Sequence, residues 1–251
     1  MQNDKINLSL IIPIGLMLFS FFFGAGNLIF PPVLGQMAGD NIGWGMLGFC
    51  LSGVGFPLLG VLAMAMKQSD NPDSIAMPMH PLYARAVTIL CALAIGPLFA
   101  IPRTAAVSFD TGIHSLLPAS CEALGLPVYT VFFFVLTYFF SINPSKIIGH
   151  IGKFLSPMLL ICLAVLVICV FVNPTGSLKM PNPDFAASPF FRGFQEGYNT
   201  MDLLAAILFG SITIKAIEAQ GITDKKVLTK LCSYAGLIAA FFLAIIYAAL
   251  A

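Results

Sequence analysis

From Ile6 to Gly39 the chain runs without a single charged residue, and most of that run is leucine, isoleucine, phenylalanine and glycine. About 20 mainly apolar residues suffice to carry a helix across roughly 30 Å of hydrocarbon. A secretory leader has the same charged start, here Lys5, but its apolar core is only about 7–15 residues long. This run is far longer and continues through Phe30-Pro31-Pro32, so it reads as a retained first membrane span.

The rest of the chain agrees. Of its 251 residues 59% are hydrophobic and only 9% charged, whereas soluble domains carry about a quarter charged residues. Lipid is the solvent that suits such a surface. The net charge of +1 and the absence of any basic run exclude a nucleic-acid partner. Six cysteines (Cys50, Cys91, Cys121, Cys162, Cys169 and Cys232) lie apart from one another and mostly in apolar runs, as packing residues do. His80, His114 and His150 are scattered, and no metal-ligand spacing is present.

Walking between charges predicts an all-α, polytopic membrane protein of seven transmembrane helices. Span 1 lies within Ile6–Gly39, span 2 within Asn41–Met66, and span 3 runs from about Leu82 to Arg103 or beyond. Span 4 lies within Ala123–Ser145, span 5 within Phe154–Leu178, span 6 near Gly197–Ile214, and span 7 from Leu231 onward. With a cytoplasmic N-terminus, nine of the twelve lysines and arginines fall inside: Lys5, Lys67, Arg85, Lys146, Lys153, Lys215, Lys225, Lys226 and Lys230. Only Arg103, Lys179 and Arg192 fall outside, so the positive-inside rule sets that orientation. The outer segment from about Asn173 to Gln195 holds Pro174, Pro181, Pro183 and Pro189, and reads as an ordered loop. The last span reaches Ala251 with no polar tail, which suggests a chain cut short.

Span 1 has an unusual centre, Phe22-Phe23-Gly24-Ala25-Gly26-Asn27-Leu28-Ile29-Phe30-Pro31-Pro32. Each interior glycine costs a helix up to about 1 kcal/mol relative to alanine, and an asparagine in hydrocarbon needs partners. Small residues alone are explained by close helix–helix contact. Span 2, with Gly43, Gly45, Gly48, Gly53, Gly55 and Gly60, fits that explanation. Asn27 followed by two prolines fits a broken helix better. Unwinding near Gly24–Asn27 would free N–H groups at the start of the second half-helix and carbonyls at the end of the first. The former suit a carboxylate, the latter a sodium ion or an ammonium group.

These residues carry a resemblance. Gly15 to Phe19 with Phe23 to Pro32, the stretch Gly96-Pro97-Leu98-Phe99-Ala100-Ile101-Pro102-Arg103-Thr104-Ala105, and Gly197-Tyr198-Asn199-Thr200-Met201-Asp202 together resemble the branched-chain amino acid:cation symporter family, the BrnQ-type carriers. The resemblance implies import of leucine, isoleucine and valine by sodium symport, with a proton as the alternative coupling ion, no other cofactor, and no enzymatic activity. It implies a broken-helix fold of two inverted five-helix repeats, LeuT-like and of the APC superfamily. One transmembrane domain would then span 1–251, with the first repeat at about 6–178 and the start of the second at about 197–251. Family carriers have about twelve spans, so this chain would lack the later ones. The bilayer and the amino acids are the implied partners, and a bacterial inner membrane the implied location.

By the same resemblance Asn27 would give its side-chain oxygen to one sodium ion, and the carbonyls of Ser20 and Phe23 would serve another. Ala25 and Gly26 would give N–H groups to the substrate carboxylate, with Gly24 beside them in the substrate site, and Phe19, Phe22 and Tyr198 would meet the substrate's side chain. In the sixth span the matching interruption is either Asn199–Asp202 or Gly210-Ser211. Thr200 and Asp202 there either line the site or cap the helix. Arg103 and Asp110, two turns apart, are either interfacial residues with Arg103 snorkelling, or an ion pair lining the outer vestibule.

Other classes fare worse. No HExxH, GxSxG or paired intramembrane carboxylate supports an enzyme, and no filter-like loop or ring of charge supports a channel. A truncated, non-transporting subunit is the competing reading.

Overall fold

The computed structural model describes residues 8–118, 122–142, 156–172, 180–222 and 224–251, and these are helical apart from turns. Cys121, His150, Lys5, Lys146, Lys153, Lys179 and Pro174 lie outside the described residues. The first span is two helices, α1 (Leu8–Phe22) and α2 (Ala25–Ala38). Gly39, at φ 47°, turns the chain through a 3-10 segment into α3 (Ile42–Cys50), a π-turn at Leu51–Gly55, and α4 (Phe56–Lys67). From Ala25 to Lys67 is 43 residues, about 64 Å at 1.5 Å per residue. That is twice the hydrocarbon thickness, and α2 and α4 both pack on the last helix.

Helix α5 (Pro81–Leu93) continues through a π-turn kinked at Gly96 and Pro97 into α6 (Ala100–Gly112). The third span therefore does run past Pro102. Next come α7 (Glu122–Ser141) and α8 (Ser156–Val172). The sixth span is again two helices, α10 (Pro189–Tyr198) and α11 (Asp202–Glu218), preceded by the short α9 (Pro183–Ala187). Finally α12 (Lys225–Leu250) starts at Asp224, whose carboxylate accepts the N–H groups of Lys226 and Val227, an N-cap of the usual kind.

Four described stretches are long and apolar enough to cross a membrane: Ala25–Lys67, Pro81–Leu116, Leu124–Ser141 and Lys225–Leu250. The pair Pro189–Tyr198 and Asp202–Glu218, bent by 44°, makes a fifth when counted as one span. Leu10–Phe22 and Pro157–Val172 are shorter apolar helices. Counting seven crossings requires more than length and composition give.

The outer loop expected at 173–195 needs correction over its described part. Residues 183–187 and 189–198 are helical, and Pro183 and Pro189, taken as loop formers, each stand at the first position of a helix. Proline fits there because that N–H has no intrahelical partner to lose. Along α10, Phe190, Gly193, Phe194 and Gly197 share one face by their i, i+3, i+4, i+7 spacing. That face lies on the glycine row of α3. A side chain on Gly193 would collide with the Gly45 carbonyl, and one on Gly48 with the Phe190 carbonyl. Of the span 2 glycines, Gly45, Gly48 and Gly53 thus serve close contact with the α10 backbone. Ser52 fastens the same seam by donating to the Phe194 carbonyl at 2.6 Å.

The buried core is shared by α1, α2, α3, α4, α11 and α12. Leu18, Phe19, Phe22, Leu34, Phe49, Val61, Ala206, Leu243 and Tyr247 form one cluster. Ile11, Met17, Met64, Ile214, Leu231 and Cys232 form another. By contrast α5 to α8 expose large apolar side chains, Phe132, Phe139, Phe140 and Phe171 among them. In water such a face would drive association; in a bilayer it is at home. The composition, the helices and this exposed apolar face make the chain a multi-pass membrane protein.

Candidate functional site

The break in the first span is shorter than expected: only Phe23 and Gly24 leave the helix, and Ala25 to Asn27 already form the first turn of α2. Gly24 is extended, at φ −116° and ψ −169°. Phe23 still donates to the Phe19 carbonyl at 2.8 Å, but the Gly24 N–H turns away and donates to Asn27 Oδ1 at 3.2 Å. An unbroken helix would have sent that N–H to the Ser20 carbonyl. The last carbonyls of α1 and the first N–H groups of α2 are thereby released from the helical ladder.

The second break falls at Asn199–Met201, not at Gly210-Ser211, which sits inside α11. Met201 takes φ 68°, a left-handed conformation that non-glycine residues rarely adopt. It leaves the carbonyls of Asn199 and Thr200 pointing away from the following helix. Thr200 closes the turn locally: its hydroxyl donates to the Gly197 carbonyl at 2.8 Å and accepts the Asp202 N–H at 3.4 Å. Thr200 and Asp202 thus stand at the start of α11 and are both buried.

The two breaks meet. Asn27 Nδ2 donates to Asp202 Oδ2 at 2.5 Å, and also contacts the Tyr247 hydroxyl. Tyr247 in turn donates to Asp202 Oδ2 at 3.3 Å. Asn27 is 2% exposed, Asp202 4% and Tyr247 0%, so this is a polar knot in an apolar interior, joining α2, α11 and α12. A carboxylate so placed is costly unless its lone pairs are used. Among the described residues no cation lies within 4 Å of Asp202 and its hydrogen bonds come from neutral groups, while the Arg103 guanidinium attracts it across a longer distance. The start of α11 gives it a further favourable field.

A small cavity of about 110 Å³ lies over these ends, lined by Phe22, Gly24, Ala25, Gly26 and Asn27 from the first break and Thr200, Met201 and Asp202 from the second. Arg103, Thr104, Ala205 and Phe209 complete much of the wall. Most of the expected site residues are thus brought together. Phe19 and Phe23 are not in the wall; they are core, stacked on each other, with Phe23 also against Tyr247. Tyr198 ends α10 with 48% of its surface exposed and does not line the cavity. Ser20 also lies outside the wall, but its hydroxyl is buried without a hydrogen-bond partner, beside a carbonyl the break has released. Oxygens of that kind suit a hard cation.

Two residues were not foreseen in their roles. Tyr247 stands in a last span whose sequence gave no sign that its hydroxyl would face Asp202. Arg103 makes no ion pair with Asp110, which is exposed. Its guanidinium instead donates from Nη1 to the Asn199 carbonyl at 3.0 Å and from Nη2 to the Thr200 carbonyl at 3.2 Å. It also lies 5.5 Å from the Phe30 ring centre, a cation–π distance. The outer-vestibule ion pair is therefore not formed.

Known proteins resemble the chain along almost its whole length. The chain is 45% identical over 249 residues to the branched-chain amino acid permease BrnQ of Bacillus subtilis, covering 99% of this chain and 57% of that protein. It is 43% identical to the B. subtilis permease BraB and 39% to the Escherichia coli permease BrnQ, each over 96% of this chain and 54% of the relative. The chain thus spans about half the length of the curated relatives it matches. No solved structure matches it. The family described as "Branched-chain amino acid transport protein" matches residues 7–251, nearly the whole chain, and the chain belongs to that family.

Proposed function

We propose that this chain carries the substrate-binding part of a secondary transporter that imports leucine, isoleucine or valine by sodium symport. One observation carries the reading: two half-helix junctions, from spans far apart in sequence, face one cavity and are joined by the Asn27–Asp202 bond. Paired interruptions of this kind are how transporters make an ion and substrate site without burying unpaired charge. The relatives' names as branched-chain amino acid permeases support the substrate class.

In this reading the free N–H groups of Ala25 and Gly26 hold the substrate carboxylate, with Gly24 giving the room to approach. Thr200 and Asp202 face its ammonium end, and Phe22 its apolar side chain. Phe19 shapes that side from behind, and Tyr198 joins only if α10 moves. One sodium ion takes the Asn27 side-chain oxygen and a second takes the carbonyls of Ser20 and Phe23; a proton on Asp202 is the alternative. The seven spans, with α1–α2 as the first and α10–α11 as the sixth, form one inverted five-helix repeat and the start of a second. The N-terminus is cytoplasmic, in the inner membrane of a bacterial cell. Alternating access follows from rocking spans 1, 2, 6 and 7 against spans 3 to 5.

The test is uptake of labelled leucine into vesicles carrying this chain, with and without an inward sodium gradient, beside the Asn27→Ala variant. Sodium-driven uptake abolished by Asn27→Ala is the expected result. Well-inserted chain with no uptake would favour the competing reading, a non-transporting piece or subunit.

A further inference from the structure

A substrate ammonium needs carbonyl oxygens, and the break between α10 and α11 releases two, on Asn199 and Thr200. Both are already taken. Arg103 reaches across from α6 and donates one N–H to each. Its Nη2 also lies 2.9 Å from where a side chain on Gly26 would begin. The guanidinium therefore stands between the two half-helix ends, against the first turn of α2. That turn is the positive end of a helix, a poor place for a cation on its own. Its Nε is buried without a partner, so the group is not held by a full set of acceptors.

The space left beside it is too small for an amino acid. An apolar cavity of about 150 Å³ just admits benzene, and this one is about 110 Å³. A branched-chain amino acid has more non-hydrogen atoms than benzene. Something lining the cavity must move for the substrate to enter, and of the two long, flexible side chains there, Arg103 and Met201, Arg103 is the one that occupies the Asn199 and Thr200 carbonyls.

We infer that Arg103 is a tethered cation that stands in for the substrate's ammonium group in the empty site, and that substrate loading displaces it from the Asn199 and Thr200 carbonyls. This rests on the functional reading above for the substrate being an amino acid, and it assigns the carbonyl pair as the ammonium subsite. It also gives the arginine a use in the cycle, since the carbonyls are satisfied in the empty site as well as in the loaded one.

The experiment is equilibrium binding to the purified chain in lipid nanodiscs, with three probes: leucine, 3-methylbutylamine (leucine without its carboxyl group) and 4-methylpentanoate (leucine without its amino group). Wild type, Arg103→Gln and Arg103→Lys are compared, with thermal unfolding as a check on folding. In Arg103→Gln the amine is expected to bind at least tenfold more tightly than to wild type, while the acid is unchanged. Arg103→Lys keeps a charge but loses the two-pronged contact, and should bind the amine several-fold more tightly than wild type. Should Arg103→Gln not fold, the lysine variant decides, and no gain in amine affinity overturns the assignment. A folded Arg103→Gln that binds amine no better, or loses amine and leucine alike, makes Arg103 a helix cap only. Selective loss of the acid makes it a carboxylate clamp and equally overturns the inference. Wild type that fails to bind leucine would defeat the functional reading, while the amine arm would still decide the role of Arg103.

Discussion

At the scale of single residues the site turns on Asn27, Asp202 and Tyr247. Asn27 uses its oxygen on the Gly24 N–H and its amide nitrogen on Asp202 and Tyr247, so one side chain fixes the first break and ties it to the second. Tyr247→Phe removes the hydroxyl and leaves an Asn27 N–H and an Asp202 lone pair without that partner. A buried unpaired group costs about 1–3 kcal/mol, so thermal unfolding of the detergent-purified variant should report destabilisation of that order. Asp202→Asn keeps the shape and removes the charge. Leucine binding by that variant is expected to weaken roughly tenfold, about the 1.5 kcal/mol of a hydrogen bond to a charged group, and unchanged affinity would remove Asp202 from the ammonium end of the site. Asn27 was legible in the sequence because an amide amid hydrocarbon asks for an explanation. Tyr247 was not, since its partners lie 45 and 220 residues away and no local pattern marks which tyrosine will meet them.

At the scale of elements, the glycine rows decide which helices touch. Gly193→Leu would drive a side chain into the Gly45 carbonyl of α3, and backbone cannot yield as a side-chain end can. Overpacking of this kind costs about 3 kcal/mol, enough to separate α10 from α3. Gly43→Ala is the control in the same helix but on its exposed face, with nothing within 4 Å of the new methyl group. It should be neutral or stabilise α3 by up to about 1 kcal/mol, and a comparison of unfolding midpoints for the two variants checks both. The sequence showed that span 2 was built for close contact but not what it contacts, because small-residue spacing names a face and not a partner. Its partner α10 was read as loop, since Pro183 and Pro189 look alike whether they prevent a helix or begin one. The position of Asn182 and Ser188 just ahead of them was the available signal.

At the scale of the whole molecule, the division between a packed polar-centred bundle and an apolar outer face follows from the bilayer as solvent. Spans α1 to α4 with α10 to α12 enclose the two breaks, whereas α5 to α8 turn large side chains outward. Composition and uncharged runs were enough to read the class, and the Gly-Asn-Pro cluster was enough to find the first break to within a few residues. The number of crossings was harder to read, because broken helices offer halves too short to count as spans. The central claim is that both breaks serve one site for amino acid and cation together. It is tested most directly by measuring leucine affinity across a sodium titration, and sodium affinity across a leucine titration, on the purified chain. Linkage requires the two to strengthen each other by the same factor, and the account predicts that they do. Leucine binding that is indifferent to sodium, with sodium binding indifferent to leucine, would contradict it.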